Sequence, residues 1–215
     1  MRPVICLITA RCAPSAAATR ELVDRIGAAA RAGVHLVQIR QPDFEGRTLA
    51  RLVEDAMRAV RGTRARVVVN DRVDVAQAAG AHGVHLRGRS MPAARVRAIV
   101  QPGFLVGRSV HSCDEAAGVV GAGGLDYVIF GTVFATGSKP GAAAVGTPAL
   151  AAVCAAVPVP VLAVGGMAPE RLGEVAAAGA AGFAAIGLFT DCALDAVHTL
   201  VEQAVRAFDT PAGVP

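Results

Sequence analysis

Short apolar runs alternate with amphipathic stretches along this chain, eight times over. The apolar runs are Val4–Thr9, Val34–Arg40, Arg66–Asn70, Gly83–Leu86, Phe104–Ser109, Asp126–Phe130, Pro160–Val164 and Phe183–Ile186. They have the length and continuity of strands buried on both faces. Between them, helices are expected at Ser15–Ala32, Gly46–Val60, Val73–Ala79, Pro92–Val100, from Ser112 onward, and at Thr147–Ala156, Pro169–Ala178 and Asp191–Phe208. Leu49, Leu52, Val53, Ala56, Met57 and Val60 recur at helical spacing. Gly33 and Gly80 mark helix ends, and Ser112 with Glu115 three residues on spells a capping box.

Unbroken β-α alternation implies a parallel sheet, and eight units in one chain imply a single (β/α)8 barrel over residues 1–209. Residues 210–215 are expected to fray. An open doubly wound sheet is the alternative fold. It is disfavoured because the first strand leads into Thr9-Ala10-Arg11-Cys12, with no GxGxxG fingerprint. A faint internal echo, Ala79–Val84 against Ala178–Phe183, falls half a barrel apart.

With 53% hydrophobic residues, only 4% aromatic and no Trp, the core must be aliphatic. The net charge of +4 comes from scattered Arg, densest at Arg58, Arg61, Arg64 and Arg66. No aromatic platform or recognised motif accompanies them, so no nucleic-acid partner is expected; the mild positive field suits a small anionic substrate. Cys6, Cys12, Cys113, Cys154 and Cys192 are far apart and unpaired in pattern, which argues against zinc or a disulfide framework and for reduced thiols in the cytoplasm. The apolar run after Met1 is too short to span a membrane and reads as the first strand, so no membrane partner is expected. Apolar helix faces allow a homo-oligomer without requiring one.

In a barrel, chemistry collects where strands end. The strand ends here carry Gln38 and Arg40, Asn70 and Asp71, His85, Ser109 and His111, Thr132, Thr136, Ser138 and Lys139, Gly165 and Gly166, and Ile186 and Gly187. Cations, hydroxyls and glycine backbone dominate, with Asp71 the single acid. The set suggests a phosphate-bearing ligand, cradled by Gly165, Gly166, Ile186 and Gly187 with Thr136, Ser138 and Lys139 alongside. The plainer alternatives are turn glycines, Asp71 as the N-cap of the next helix, and His85 as a satisfied interior residue. His111 is a general acid/base candidate. His35 and His82 start strands and are expected to be structural; His198 is expected on the surface.

Several of these stretches together resemble the thiamine phosphate synthase/TenI superfamily: Gln38-Ile39-Arg40, Val69–Ala76, Gly83–Leu86, Gly107–Ser112, Asp126–Phe134, Thr136–Lys139 and Val164–Met167. The resemblance implies a (β/α)8 barrel that binds a thiazole phosphate. Its synthase branch joins that thiazole to a pyrimidine pyrophosphate with Mg²⁺. Its pattern would put a lysine at Pro42, a glutamine near Gly88 and a metal-binding Asp at Ser90, leaving Asp71 as the one metal ligand. The TenI branch is a thiazole tautomerase, which moves a proton on a carboxythiazole phosphate and needs no metal. It would put a histidine at Thr132. The departures at Pro42 and Ser90 tilt the expectation toward a tautomerase without a cofactor, with His111 and then His85 as proton carriers. A synthase using Mg²⁺ is the alternative, and a non-catalytic ligand-binding regulator the third.

Overall fold

A computed structural model describes residues 3–136 and 143–209. Eight strands close into one parallel barrel in chain order: β1 Val4–Ile8, β2 Leu36–Ile39, β3 Arg66–Asn70, β4 Gly83–Leu86, β5 Leu105–Val110, β6 Tyr127–Phe130, β7 Val161–Val164 and β8 Gly182–Ala185. Closure is by β1 against β8, with Cys6 opposite Ala184, which removes the open-sheet alternative. The helices are α1 Ala16–Ala32, α2 Gly46–Ala59, α3 Val73–Ala78, α4 Ala93–Arg97, α5 Cys113–Gly121, α6 Gly146–Ala156, α7 Leu172–Ala177, α8 Gly187–Thr190 and α9 Val197–Asp209, with a 3₁₀ turn at Pro169–Arg171.

Strand alternation sorts the core into two shells. Ile5, Leu7, Val37, Ile39, Val67, Val69, Val128, Phe130, Ala163 and Phe183 face the helices. Cys6, Ile8, Leu36, Val68, Tyr127, Ile129, Leu162 and Ala184 fill the barrel interior. The strands therefore read as continuous apolar runs because both faces are covered. Each fully buried Leu, Ile or Val contributes roughly 1.5–3 kcal/mol.

The local signals act as their chemistry requires. Ser15 caps α1, its Oγ accepting from the Ala18 N–H at 3.3 Å, and Gly33 ends that helix in the left-handed region. Ser112 caps α5, accepting from the Glu115 N–H at 3.1 Å. Glu115 returns the bond one residue early, to the His111 N–H at 2.7 Å.

The expected final helix, Asp191–Phe208, starts late, and a short extra helix lies before it. The short α8 follows β8 directly, and α9 begins only at Val197. Arg25 of α1 donates to the Phe189 and Cys192 carbonyls at 2.7 and 2.9 Å, which holds the chain in a turn between them. β2 starts two residues later than expected, at Leu36, although the His35 N–H still donates to the Ile5 carbonyl of β1 at 3.0 Å. Residues 210–215 lie outside the described residues.

Candidate active site

Inward alternation carries a run of polar groups around one side of the barrel: Gln38 on β2, Asn70 on β3, His85 on β4 and Ser109 on β5, with the Tyr127 hydroxyl arriving from β6. The other side, from β7 through β1, contributes Leu162, Ala184 and Ile8. The floor is thus polar on one edge and aliphatic on the other, a shape suited to a flat heteroaromatic ring.

His85 is 1% exposed, and both ring nitrogens are engaged. Nε2 lies 2.8 Å from Ser109 Oγ and Nδ1 3.2 Å from Tyr127 Oη. Burial lowers its pKa to about 3; Asp71 opposes this and Arg108 adds to it. The imidazole is therefore neutral at any physiological pH. Burial likewise raises the Tyr127 phenol well above its ordinary range. Tyr127 lies across the barrel only because β5 offers Gly107: a Cβ there would sit 2.0 Å from the ring. Gln38 is 2% exposed, and its amide Nε2 has no hydrogen-bond partner among the described residues. A buried donor left unpaired among inward-facing polar groups is open to an acceptor on a ligand.

At the β1–β2 rim, Gln41 ties two loops together. Its amide donates to the Ala10 carbonyl at 2.6 Å and accepts from the Cys12 N–H at 3.1 Å. The Arg40 N–H donates to Thr9 Oγ1 at 2.8 Å. These bonds join the loops that carry Arg11 and Arg40. The pKa of Arg40 is lowered by burial, then by the neighbouring Arg11 and Arg87 guanidiniums, with Asp43 opposing.

Asp71 does not cap α3. It has φ +64°, a left-handed conformation that Asp tolerates, and the N-cap position of α3 falls to Arg72 with no side-chain bond. The Asp71 carboxylate turns instead to the β4–α4 loop. Oδ2 accepts from Arg87, with Nε at 2.7 Å, and Oδ1 accepts from the Ser90 hydroxyl. The Arg87 N–H in turn donates to Ser90 Oγ at 2.8 Å. Arg108, buried beneath this loop, donates to the Gly88 and Met91 carbonyls at 2.6 and 3.1 Å and fixes its shape.

His111 stands exposed at the end of β5. Its Nδ1 is 2.6 Å from the Gly131 carbonyl, which can only accept, so Nδ1 carries the proton and Nε2 keeps a lone pair. Thr132 packs its methyl against Gly165, where a Cβ would lie 2.5 Å away, and Gly165 and Gly166 adopt φ +101° and +61°. The β6 and β7 loops are laced further by Val133 N–H to Val164 O at 2.8 Å and by Arg171, which donates to Gly166 O at 2.7 Å and lies over the Phe134 ring. Close loop packing by itself therefore demands these glycines. Ile186 and Gly187 open the short α8. Thr136 is half-buried at the edge of the described segment, and Ser138 and Lys139 lie outside it.

The sequence-derived set thus converges on one barrel end, apart from the two residues not described. His35 and His82 sit at the other end, where their Nδ1 atoms accept from the Ile5 and Val67 N–H groups at 3.3 and 2.9 Å. His198 is exposed beside Glu202. Sequence reasoning missed Arg11, Gln41, Arg87 and the Tyr127 hydroxyl. Strand alternation carried the signal for Tyr127, which faces inward two residues before Ile129. No periodic signal marks the other three, which lie in loops.

Among the described residues no helix is long and apolar enough to cross a membrane, and no three His, Cys, Asp or Glu side chains gather as a metal site. A family model described as thiamine monophosphate synthase matches residues 5–189. A thiamine-phosphate synthase of Chlorobium luteolum is 36% identical over 189 residues, covering 87% of this chain and 85% of that protein. One from Methanoculleus marisnigri is 42% identical over 168 residues, covering 78% and 79%. The structure of a thiamine phosphate pyrophosphorylase from Pyrococcus furiosus superposes with a TM-score of 0.80 at 27% identity, covering 95% of both chains. The chain belongs to the thiamine monophosphate synthase family.

Proposed function

We propose that this member of the thiamine monophosphate synthase family makes thiamine phosphate, joining a thiazole phosphate to a pyrimidine that carries a pyrophosphate. The relatives are named as synthases, and this brings forward the coupling reaction over the tautomerase suggested by Pro42 and Ser90. One observation carries the reading. The rim holds two separate stretches suited to anions: glycine backbone at Gly165, Gly166, Ile186 and Gly187, and guanidiniums beside Arg40. A tautomerase needs a single phosphate site; a coupling enzyme needs two.

In this reading Gln38, Asn70 and Ser109 orient the rings by hydrogen bonds, and His85, neutral and held from both sides, fixes the Ser109 hydroxyl. Thr132 and Thr136 line the thiazole phosphate beside the β7 and β8 loops, the place where barrels of this kind commonly bind phosphate, and Ser138 and Lys139 remain candidates from the sequence. A carbon–nitrogen bond forms between the rings, and pyrophosphate departs with the electron pair of the broken C–O bond. Arg40 faces the charge that collects on it.

The family's synthase branch implies Mg²⁺. The residues present do not fit it: both Asp71 oxygens are engaged, Asp43 faces Arg11, Glu115 is bonded to the His111 N–H, no three His, Cys, Asp or Glu side chains gather as a metal site among the described residues, and residues 137–142 contain no acid. No step is therefore assigned to a metal.

A tautomerase remains the second reading, on the fixed tautomer of His111, whose Nε2 lone pair is free of the Gly131 bond. The test is to mix purified protein with both phosphorylated rings and assay thiamine phosphate by thiochrome fluorescence. In parallel, carboxythiazole phosphate alone is followed by NMR. Thiamine phosphate formation supports coupling; aromatisation of the carboxythiazole without coupling would overturn it.

A further inference from the structure

We infer that the Arg87 guanidinium takes the place at Asp71 that a divalent cation would hold, so that this chain grips a pyrophosphate group through Arg11, Arg40 and Arg87 with no metal between. The inference rests on the coupling reading for its choice of anion, but the geometry at Asp71 is independent of it.

The carboxylate is committed on both oxygens. Arg87 takes Oδ2 and the Ser90 hydroxyl takes Oδ1, while the same hydroxyl accepts from the Arg87 backbone at 2.8 Å. Asp71, Arg87 and Ser90 thus form a closed three-residue ring. It needs a hydroxyl at position 90: a carboxylate there could not donate to Asp71 and would repel it. The ring also needs the loop held in place, and Arg108 does that from below through the Gly88 and Met91 carbonyls.

The ion pair alone would not keep a cation out. Arg87 is 64% exposed, and pairs that open to water contribute little. What decides is the company. Mg²⁺ is held by one or two carboxylates together with substrate phosphates. Here a single carboxylate faces Arg87, and Arg11 and Arg87 lie near enough to Arg40 to add to the lowering of its pKa by burial. Asp43, 3.6 Å from Arg11 and opposing the drop at Arg40, offsets them only in part. A divalent cation entering this corner meets repulsion from three guanidiniums. A pyrophosphate entering it meets the opposite field and planar donors that match phosphate oxygens in pairs. The arginines also explain how the rim dispenses with a cation at Pro42.

The experiment titrates inorganic pyrophosphate and Mn²⁺ separately into the purified protein. Pyrophosphate binding is measured by calorimetry in EDTA, and Mn²⁺ by its paramagnetic resonance signal. The expected results are pyrophosphate binding without metal, a loss of about tenfold in Arg87→Gln, and Mn²⁺ binding no stronger than millimolar in wild type. The double variant Arg87→Gln/Ser90→Asp is expected to gain a Mn²⁺ site. Tight stoichiometric Mn²⁺ binding by wild type, or pyrophosphate binding that vanishes in EDTA, would overturn the inference. Arg87 is largely exposed, so the single variant is expected to fold, which thermal melting checks. If pyrophosphate binds without metal but no thiamine phosphate forms, the coupling reading fails and this one stands. If coupling proceeds only with a tightly bound metal, the reverse holds.

Discussion

His85 is held neutral by the fold, and this makes the protein's stability depend on pH in a calculable way. In the unfolded chain its pKa returns to the ordinary 6.5, against about 3 when folded. Below pH 6.5 the unfolded state binds a proton that the folded state does not, so stability is full above pH 6.5 and falls as pH drops toward 3. Between pH 7.5 and pH 5 the unfolded state gains this proton over about 1.5 pH units, at about 1.4 kcal/mol each. The loss from this one residue is then about 2 kcal/mol. Urea unfolding at the two pH values measures it, and at about 2 kcal/mol per molar urea the midpoint moves by about 1 M. His82, which burial and Arg66 also hold down, adds a drop of the same sign. The control is therefore His85→Gln, which keeps every other titrating group. It is expected to be less stable at pH 7.5 but to lose about 2 kcal/mol less than wild type on acidification. Parallel losses in the two proteins would show that His85 takes up a proton inside the barrel, and the account of a neutral floor would be wrong.

Gly107→Ala drives a methyl into the Tyr127 ring and is expected to cost about 3 kcal/mol or more, read as a lower urea midpoint; an unchanged midpoint would refute the close packing. Gln38→Leu removes a buried unpaired donor and is expected to stabilise the free protein by about 1 kcal/mol while weakening substrate at least about tenfold; equal KM values would remove Gln38 from the site. His111→Ala is expected to leave coupling within about threefold and to abolish about 99% of any carboxythiazole aromatisation. Loss of coupling instead would move His111 into the main reaction.

The barrel was legible because its strands are continuous apolar runs covered on both faces, and because Gly33 and Gly80 punctuate the helices as their backbone freedom requires. The inward set Gln38, Asn70, His85 and Ser109 follows from the alternation of side chains along a strand. What escaped was set by loops. The sequence permits Asp71 to cap α3, and only the left-handed turn at that residue sends its carboxylate sixteen positions onward to Arg87. Gln41 bridges the loops that carry Arg11 and Arg40, and nothing in the spacing of these three residues announces it. The late start of the last helix likewise goes with Arg25 reaching across from α1 to the Phe189 and Cys192 carbonyls.

The division between floor and rim bears on what the site can accept. His85 is neutral, Tyr127 keeps its proton, Ser109 and Gln38 are uncharged, and the inward-facing floor carries no acid. A charged ring driven down to this level would lose its hydration and gain no countercharge. Arg108, the one buried cation nearby, faces outward to the β4–α4 loop and cannot serve the interior. On the proposed coupling reading, neutral heteroaromatic rings go to the floor and phosphates to the strand ends, where guanidiniums and glycine backbone lie within reach of water. A reaction whose charge builds on a departing pyrophosphate puts that charge at the rim, where the arginines already stand. Proton transfer on a ring would need a titrating group at floor level, and His85, the floor's imidazole, has been removed from that range by its own burial. This separation favours coupling over tautomerisation more strongly than any single residue does.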